Sequence, residues 1–264
     1  MILSRRAALD GAQLDEIDER ILISGIEDSP GTLNRSTAPM AGGTGSWLTN
    51  EQRTAKRVSI KFQIRLRKTE MAERAQVLEK VTGWARKGGW LTVNTRENRR
   101  IRVRCAQEPE VSELRSMTKE YTVVFEANEK PYWELETPTS AVSGVGGTGN
   151  ATVAVEGNLD SPIEFELHNE SGMNINTAAV NFGTTRFVFD SLGLGGNETL
   201  VGDHDERGIL RLRIRSASGS YRSVMDKLAE NSSDDLMTGP GNRTVYFTAQ
   251  RACKLTAKSY GRFA

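Results

Sequence analysis

The segment Arg57 to Arg67 constrains this chain more than any other. Val58, Ile60, Phe62, Ile64 and Leu66 alternate strictly with Arg57, Ser59, Lys61, Gln63, Arg65 and Arg67. A strand points successive side chains to opposite faces, so this run specifies one apolar face and one mostly cationic face. A half-buried strand of this kind needs partner strands beside it and a core beneath it. The chain must therefore build a sheet here.

A helix is predicted to follow. Thr69 is a suitable N-cap, and Glu70 and Glu73 suit the first turn. Met71, Ala75, Leu78, Val81, Trp84 and Ala85 recur at steps of three and four, which places them on one stripe. Gly88-Gly89 ends it. Strands resume over Trp90–Val93, around Ile101, Val103 and Cys105 between arginines, and around Tyr121, Val123 and Phe125. The expected first domain, residues 1–135, is thus an antiparallel β unit with one helix. Trp84 and Trp90 are expected in its core, and Tyr132 and Trp133 over its edge. The polar stretch Asn34–Gln52 is either an ordered arm or a loop.

Between Glu136 and Asn150 the periodic apolar face disappears into Thr, Ser and Gly, so residues 136–157 are expected to form a linker. Beyond it, short strands are expected at Ile163–Leu167, Arg186–Phe189, Ile209–Ile214, Val245–Phe247 and Cys253–Ala257, with a turn or two of helix within Ser223–Ala229. Gly, Asn and Asp turns separate them. Residues 158–264 therefore read as a β-sandwich domain. The fold class is mainly β, a β-rich α+β chain. Its 264 residues suffice for two domains with separate cores.

Composition narrows the function. Lys and Arg number 35 against 34 Asp and Glu, a net charge of +1, which argues against a free-standing nucleic-acid binder. No run approaches the ~20 apolar residues of a membrane span, so no membrane insertion is expected. Arg5 and Arg6 are not followed by an apolar segment, so no signal peptide is expected, and the chain reads as made in a reducing cytoplasm. Cys105 and Cys253 both sit in alternating apolar segments and are expected as small core hydrophobes, not a disulfide.

No constellation carries chemistry; catalytic, cofactor-binding and metal residues are all expected to be none. Gly144–Gly149 matches G-x-G-x-x-G, but no helix is predicted after it, and a dinucleotide site needs a strand-to-helix turn. Asp203-His204-Asp205-Glu206 lacks the spaced oxygen ligands of a calcium loop and reads as a solvated turn. No G-x-S-x-G nucleophile elbow occurs. The chain is not expected to be an enzyme. The arginine faces of 57–67 and 96–104 are either solvated, paired with acids on neighbouring strands, or used to set register between copies.

The order of elements carries a resemblance. Lys56-Arg57-Val58-Ser59-Ile60-Lys61-Phe62, a helix ending Val81-Thr82-Gly83-Trp84, the strand ending at Val93, Arg99-Arg100-Ile101-Arg102-Val103, Tyr121–Ala127 and Pro131-Tyr132-Trp133 together resemble the N-terminal domain of siphophage distal tail proteins, the Dit family. In the second half Ile163-Glu164-Phe165, Leu200-Val201-Gly202-Asp203 and Pro240-Gly241-Asn242 are similar to that family's galectin-like β-sandwich. The resemblance implies a structural virion protein at the tail tip, assembled in the bacterial host cytoplasm. It implies a homohexameric ring made and docked on the tail tube by residues 1–135. Expected partners are the chain itself, the tail tube protein, the tail-tip hub or fibre protein and, in some members, a receptor-binding protein. The alternative is a carbohydrate-binding module in the C-terminal sandwich. That domain's aromatics alternate with polar residues, which favours core over platform.

Overall fold

A computed structural model describes residues 5–30, 33–39, 46–53, 55–66, 73–110, 120–205 and 208–264. The chain divides into two compact units, Met1–Glu134 with Ala264, and Leu135–Phe263.

The first unit runs β1 (Ala7–Leu9), β2 (Ala12–Gln13), a single helical turn α1 (Leu14–Ile17), β3 (Ile21–Ser29), β4 (Leu33–Pro39), β5 (Ser46–Arg53), β6 (Lys56–Ile64), α2 (Arg74–Arg86), β7 (Gly89–Val93), β8 (Arg99–Gln107), β9 (Glu120–Ala127) and β10 (Trp133–Leu135). Among the described residues its sheet has the order β2-β1-β7-β8-β9-β6-β3, and the pairings along it are antiparallel. The alternation of β6 is realised as expected: Val58, Ile60 and Phe62 are fully buried. α2 packs Val77, Leu78, Val81, Trp84 and Ala85 inward. Trp84 meets Phe125 of β9 edge-on at 5.7 Å, and its indole N–H donates to the Ala12 carbonyl at 2.9 Å.

Several expectations need correction. Of the expected stripe Leu78, Val81, Trp84 and Ala85 are buried, but Ala75 is exposed, and Arg74 and Val77 are buried in the first turns instead. Glu73 is the N-cap residue and makes no capping bond; Thr69, Glu70 and Met71 lie outside the described residues. β1, β2 and β3 went unrecognised, because two are very short and the third is broken by a bulge between Ile23 and Gly25. Trp133 is fully buried, whereas Trp90 is only half-buried and lies under the Arg100 guanidinium at 4.2 Å. Gly89 is required where it stands: its φ is +121°, and a Cβ there would lie 2.0 Å from the Asp10 carboxylate.

The second unit contains β11 (Thr139–Val142), β12 (Gly146–Val155), β13 (Ser161–Asn169), β14 (Ala178–Phe182), β15 (Thr185–Phe189), β16 (Thr199–His204), β17 (Leu210–Arg215), β18 (Tyr221–Ser223), a 3-10 turn at Met225–Lys227, β19 (Met237–Thr238), β20 (Gly241–Ser259) and β21 (Arg262–Phe263). The linker expectation fails here. β11 and β12 occupy most of residues 136–157, and both pair with β20. Their glycines misled because one of them, Gly149, faces inward under an aromatic ring. A Cβ at Gly149 would lie 2.7 Å from the Phe247 ring opposite it.

The two strands expected at Val245–Phe247 and Cys253–Ala257 are one, the 19-residue β20. Its first part pairs with β12 and β14, and its last part with β13 and β11. One strand thereby joins a β15-β14-β20-β12 layer to a β20-β13-β16-β17-β18 layer. Their inward positions, Phe165, Phe182, Phe187, Phe189, Leu212, Ile214, Phe247 and Leu255 among them, form one core. The chain is mainly antiparallel β, as expected.

Candidate assembly surfaces

In the acidic run at the end of β16 the described carboxylates are already engaged within the chain. Both oxygens of Asp203 are engaged, Oδ1 by Arg211 at 3.0 Å and Oδ2 by Arg213 at 2.6 Å. His204 places Nε2 2.9 Å from Asp235, Asp205 accepts from the Ile209 N–H, and Glu206 lies outside the described residues. Asp203 and His204 belong to β16, so the expected solvated turn starts later than the sequence suggested. Among the described residues no group of three His, Cys, Asp or Glu side chains is placed to hold a metal ion. Gly146–Gly149 lie within β12 and open no helix. The cysteines are free thiols.

The cationic strand faces are largely neutralised from within. Arg57 pairs with Glu126, its cross-strand partner on β9, at 2.7 Å; Lys61 pairs with Glu27 on β3; Arg104 pairs with Glu129 at 2.8 Å; Arg100 pairs with Glu134 at 2.9 Å. Within the chain, Arg57, Lys61, Arg100 and Arg104 follow the reading in which they pair with acids of the same unit. The exposed pairs contribute little each, since solvent screens them and holding two long side chains in one geometry costs entropy.

Two clusters are more deeply set. Asp28, near the end of β3, accepts from Arg96 at 2.8 Å and from the Trp133 indole N–H at 2.9 Å, and faces the Lys56 ammonium at 3.3 Å. Lys56 is only 2% exposed. Asp18 accepts from Arg20 at 2.7 Å and Lys80 at 3.0 Å, tying the entry to β3 to α2. The hydrogen bonds from Arg20 hold the Asp18 carboxyl well below the usual carboxylate range, against the opposing effect of burial and with Lys80 assisting. Sequence reading missed both clusters, since isolated acids in strand ends carry no pattern.

The open surface of the first unit is its backbone. β3 ends the sheet order, so its outer edge has no ladder partner among the described residues. The β4–β5 pairing has the register of the β3–β6 ladder. Ser29 stands opposite Arg57, and Leu33 opposite Arg53, four residues further along each strand. The register carries through to Pro39 opposite Ser46 after one irregularity at Ser36–Thr37. β4 and β5 form a separate two-stranded sheet in that same register, and neither has a further ladder partner among the described residues. Of the Asn34–Gln52 stretch the described residues are strand, 33–39 paired with 46–53, and residues 40–45 lie outside the described set. A two-stranded ribbon is at best marginally stable alone.

No family model and no curated protein matches the sequence. Solved structures do. The crystal structure of the SPP1 Dit protein, described as a paradigm of the hub adsorption apparatus in phages infecting Gram-positive bacteria, superposes with a TM-score of 0.71 at 12% identity, over 98% of this chain and 99% of that one. The chain has the Dit fold. Chains of the phage P2 baseplate in its activated conformation, with Ca and with Sr, align at TM-scores of 0.49 and 0.47, with 10% and 9% identity, over 97% of this chain and 98% and 97% of theirs. The Dit fold thus spans both units, with the paired-charge faces and the ribbon as features of this chain's first unit.

Proposed function

We propose that this chain is a structural protein of a bacteriophage tail, an adaptor that forms a hexameric ring at the distal end of the tail tube and joins it to the tail-tip hub or fibre protein. The observation that carries the reading is the likeness in fold to SPP1 Dit over the full length of both chains. The work assigned to the chain is complementary surface repeated by symmetry, with no catalytic step. A heterologous interface whose rotation closes gives a ring, whereas one that does not close gives a filament.

The β4–β5 ribbon and the open β3 edge supply such an interface. Backbone N–H and C=O groups along them can pair with a neighbouring copy by strand addition. The tube, the hub or fibre protein and, where present, a receptor-binding protein are the other partners of this reading. An antibody raised against the purified chain tests the location. It should decorate virions of the encoding phage at the far end of the tail; decoration of the capsid or along the whole tube would overturn the assignment.

A further inference from the structure

The second unit covers one of its own sheet edges. β15 ends the sheet order and has β14 as its ladder partner on one side only. Along its other side runs the chain from the end of the 3-10 turn, residues 227–233. The Arg186 N–H donates to Ser233 Oγ at 2.8 Å, and the Val188 N–H donates to Ser232 Oγ at 3.0 Å. The Asp190 N–H donates to the Lys227 carbonyl at 3.0 Å. In return the Ser233 N–H donates to the Arg186 carbonyl at 2.7 Å, and the Ala229 N–H to the Val188 carbonyl at 2.9 Å. The outward N–H groups of residues 186, 188 and 190 are therefore all satisfied. At Arg186 and Val188 a serine hydroxyl accepts where a partner strand would offer a carbonyl. This strap is no strand of the sheet, and it is tethered at both ends: Leu228 packs against the core and Leu236 is fully buried.

The edge beneath the strap is self-complementary. In an antiparallel ladder, two residues that turn their backbone groups toward one another exchange both N–H···O bonds. Setting Val188 opposite Val188 of a second copy, on a two-fold axis, sets Arg186 opposite Asp190 of that copy, and Asp190 opposite its Arg186. All three residues turn their backbone N–H groups to this edge, as such a ladder needs. Arg186 and Asp190 are exposed and of opposite charge, and neither has an ion partner within the chain among the described residues. Opposite charges directly across a ladder stabilise it, and like charges weaken it. The contact would be isologous, so it closes on itself as a pair.

We infer that residues 229–233 are a guard over a latent pairing edge, keeping β15 from adding to β15 of a second copy. An uncovered edge is a template for another strand, and a tethered strap that spends serine hydroxyls on the outward N–H groups removes that template without extending the sheet. The surface is separate from the first-unit edges assigned to the ring, and the inference rests on β15 and its strap alone.

The test uses the full-length chain. Ser232→Ala combined with Ser233→Ala removes both hydroxyl acceptors. Hydrogen exchange at the Arg186 and Val188 amides should then speed up about fivefold or more, the effect of losing one hydrogen bond at each. Sedimentation velocity over a range of concentrations should show reversible self-association beyond whatever species the parent forms, so the result reads the same way for a monomer and for a ring. Adding Val188→Pro, which deletes the central outward N–H, should abolish that association. Adding Asp190→Lys, which sets like charges across the pairing, should abolish it too, and Arg186→Asp together with Asp190→Lys should restore it. In the parent, with the edge covered, Asp190→Lys should leave sedimentation unchanged. A double serine variant that sediments as the parent does would overturn the inference, whatever its amide exchange. So would association that survives Val188→Pro or Asp190→Lys. If the double variant loses its fold, Ala229→Pro opens the same edge by removing the N–H that the Val188 carbonyl accepts, and it is held to the same outcomes.

Discussion

Individual side chains divide into those whose role the alternation announces and those set by one partner. Val58, Ile60, Phe62, Phe165 and Leu167 were legible because period two is enough to bury them. Asp28 and Lys56 were not, since a buried ion pair is made by tertiary placement. Removing the acid takes one carboxylate away from the buried Lys56 ammonium, Arg96 and the Trp133 indole together, a defect that costs about 3 kcal/mol. Asp28→Ala should lower the unfolding free energy of the first unit by that amount, read as a lower urea midpoint at unchanged m, while the second unit's transition stays put, as followed by urea titration with probes in each unit; an unchanged first transition would contradict the cluster's role. Asp18 gives a pH-dependent counterpart. Its folded carboxyl lies below the ordinary value of about 3.9, so its contribution is present above that pH and is lost as the solution is acidified through and below it. Asp18→Asn should therefore be destabilised relative to the parent at pH 7, and the gap should close toward pH 2–3; a gap independent of pH would refute this. Burial pushes the Cys253 thiol up to about 11. Because the thiolate is the reactive form, iodoacetamide at pH 8 should leave Cys253 unmodified in the native protein and label it in urea. Labelling of the native protein would show that the second core opens.

Elements were readable wherever one pattern ran uninterrupted, and misread wherever glycine or length broke it. β6, β9 and β13 alternate without a break; α2 has its stripe and its Gly88-Gly89 stop. β20 was split because Ala249–Ala252 loses the large apolar residues at the place where the strand changes partners. β12 reads as linker in the sequence because small residues in a strand look like flexible chain there. Yet Gly149 faces Phe247 and Gly202 faces Phe165, the same cross-strand pairing twice, with a Cβ at Gly202 only 2.3 Å from the ring. The signal that could have found them is a glycine at an inward position opposite an aromatic on the partner strand. Gly149→Ala forces the Phe247 ring from its place and should cost about 1–3 kcal/mol, as overpacking does. A melting temperature within error of the parent would show that the ring moves freely. The linker-based expectation that the second unit hangs on a floppy tether loses its basis, because residues 139–142 and 146–155 are strands.

At the scale of the whole molecule, the order of elements carried the resemblance, and the superposition on SPP1 Dit covers 98% of the chain. What sequence could not show is where copies would meet. The cationic strands read as register-setting edges, but much of their charge is paired with acids within the unit; in the proposed ring the backbone edges of β3 and the β4–β5 pair are the surface offered to a neighbouring copy. Ring assembly should accordingly be only weakly salt-dependent, in contrast to an interface built on exposed charge. The most direct test of the adaptor reading is electron microscopy of the purified full-length chain, alone and mixed with its tail tube protein. The reading predicts closed rings with hexameric symmetry and a central opening that seats on the end of the tube. A protein that stays monomeric in both samples, or one that grows open filaments, would contradict it.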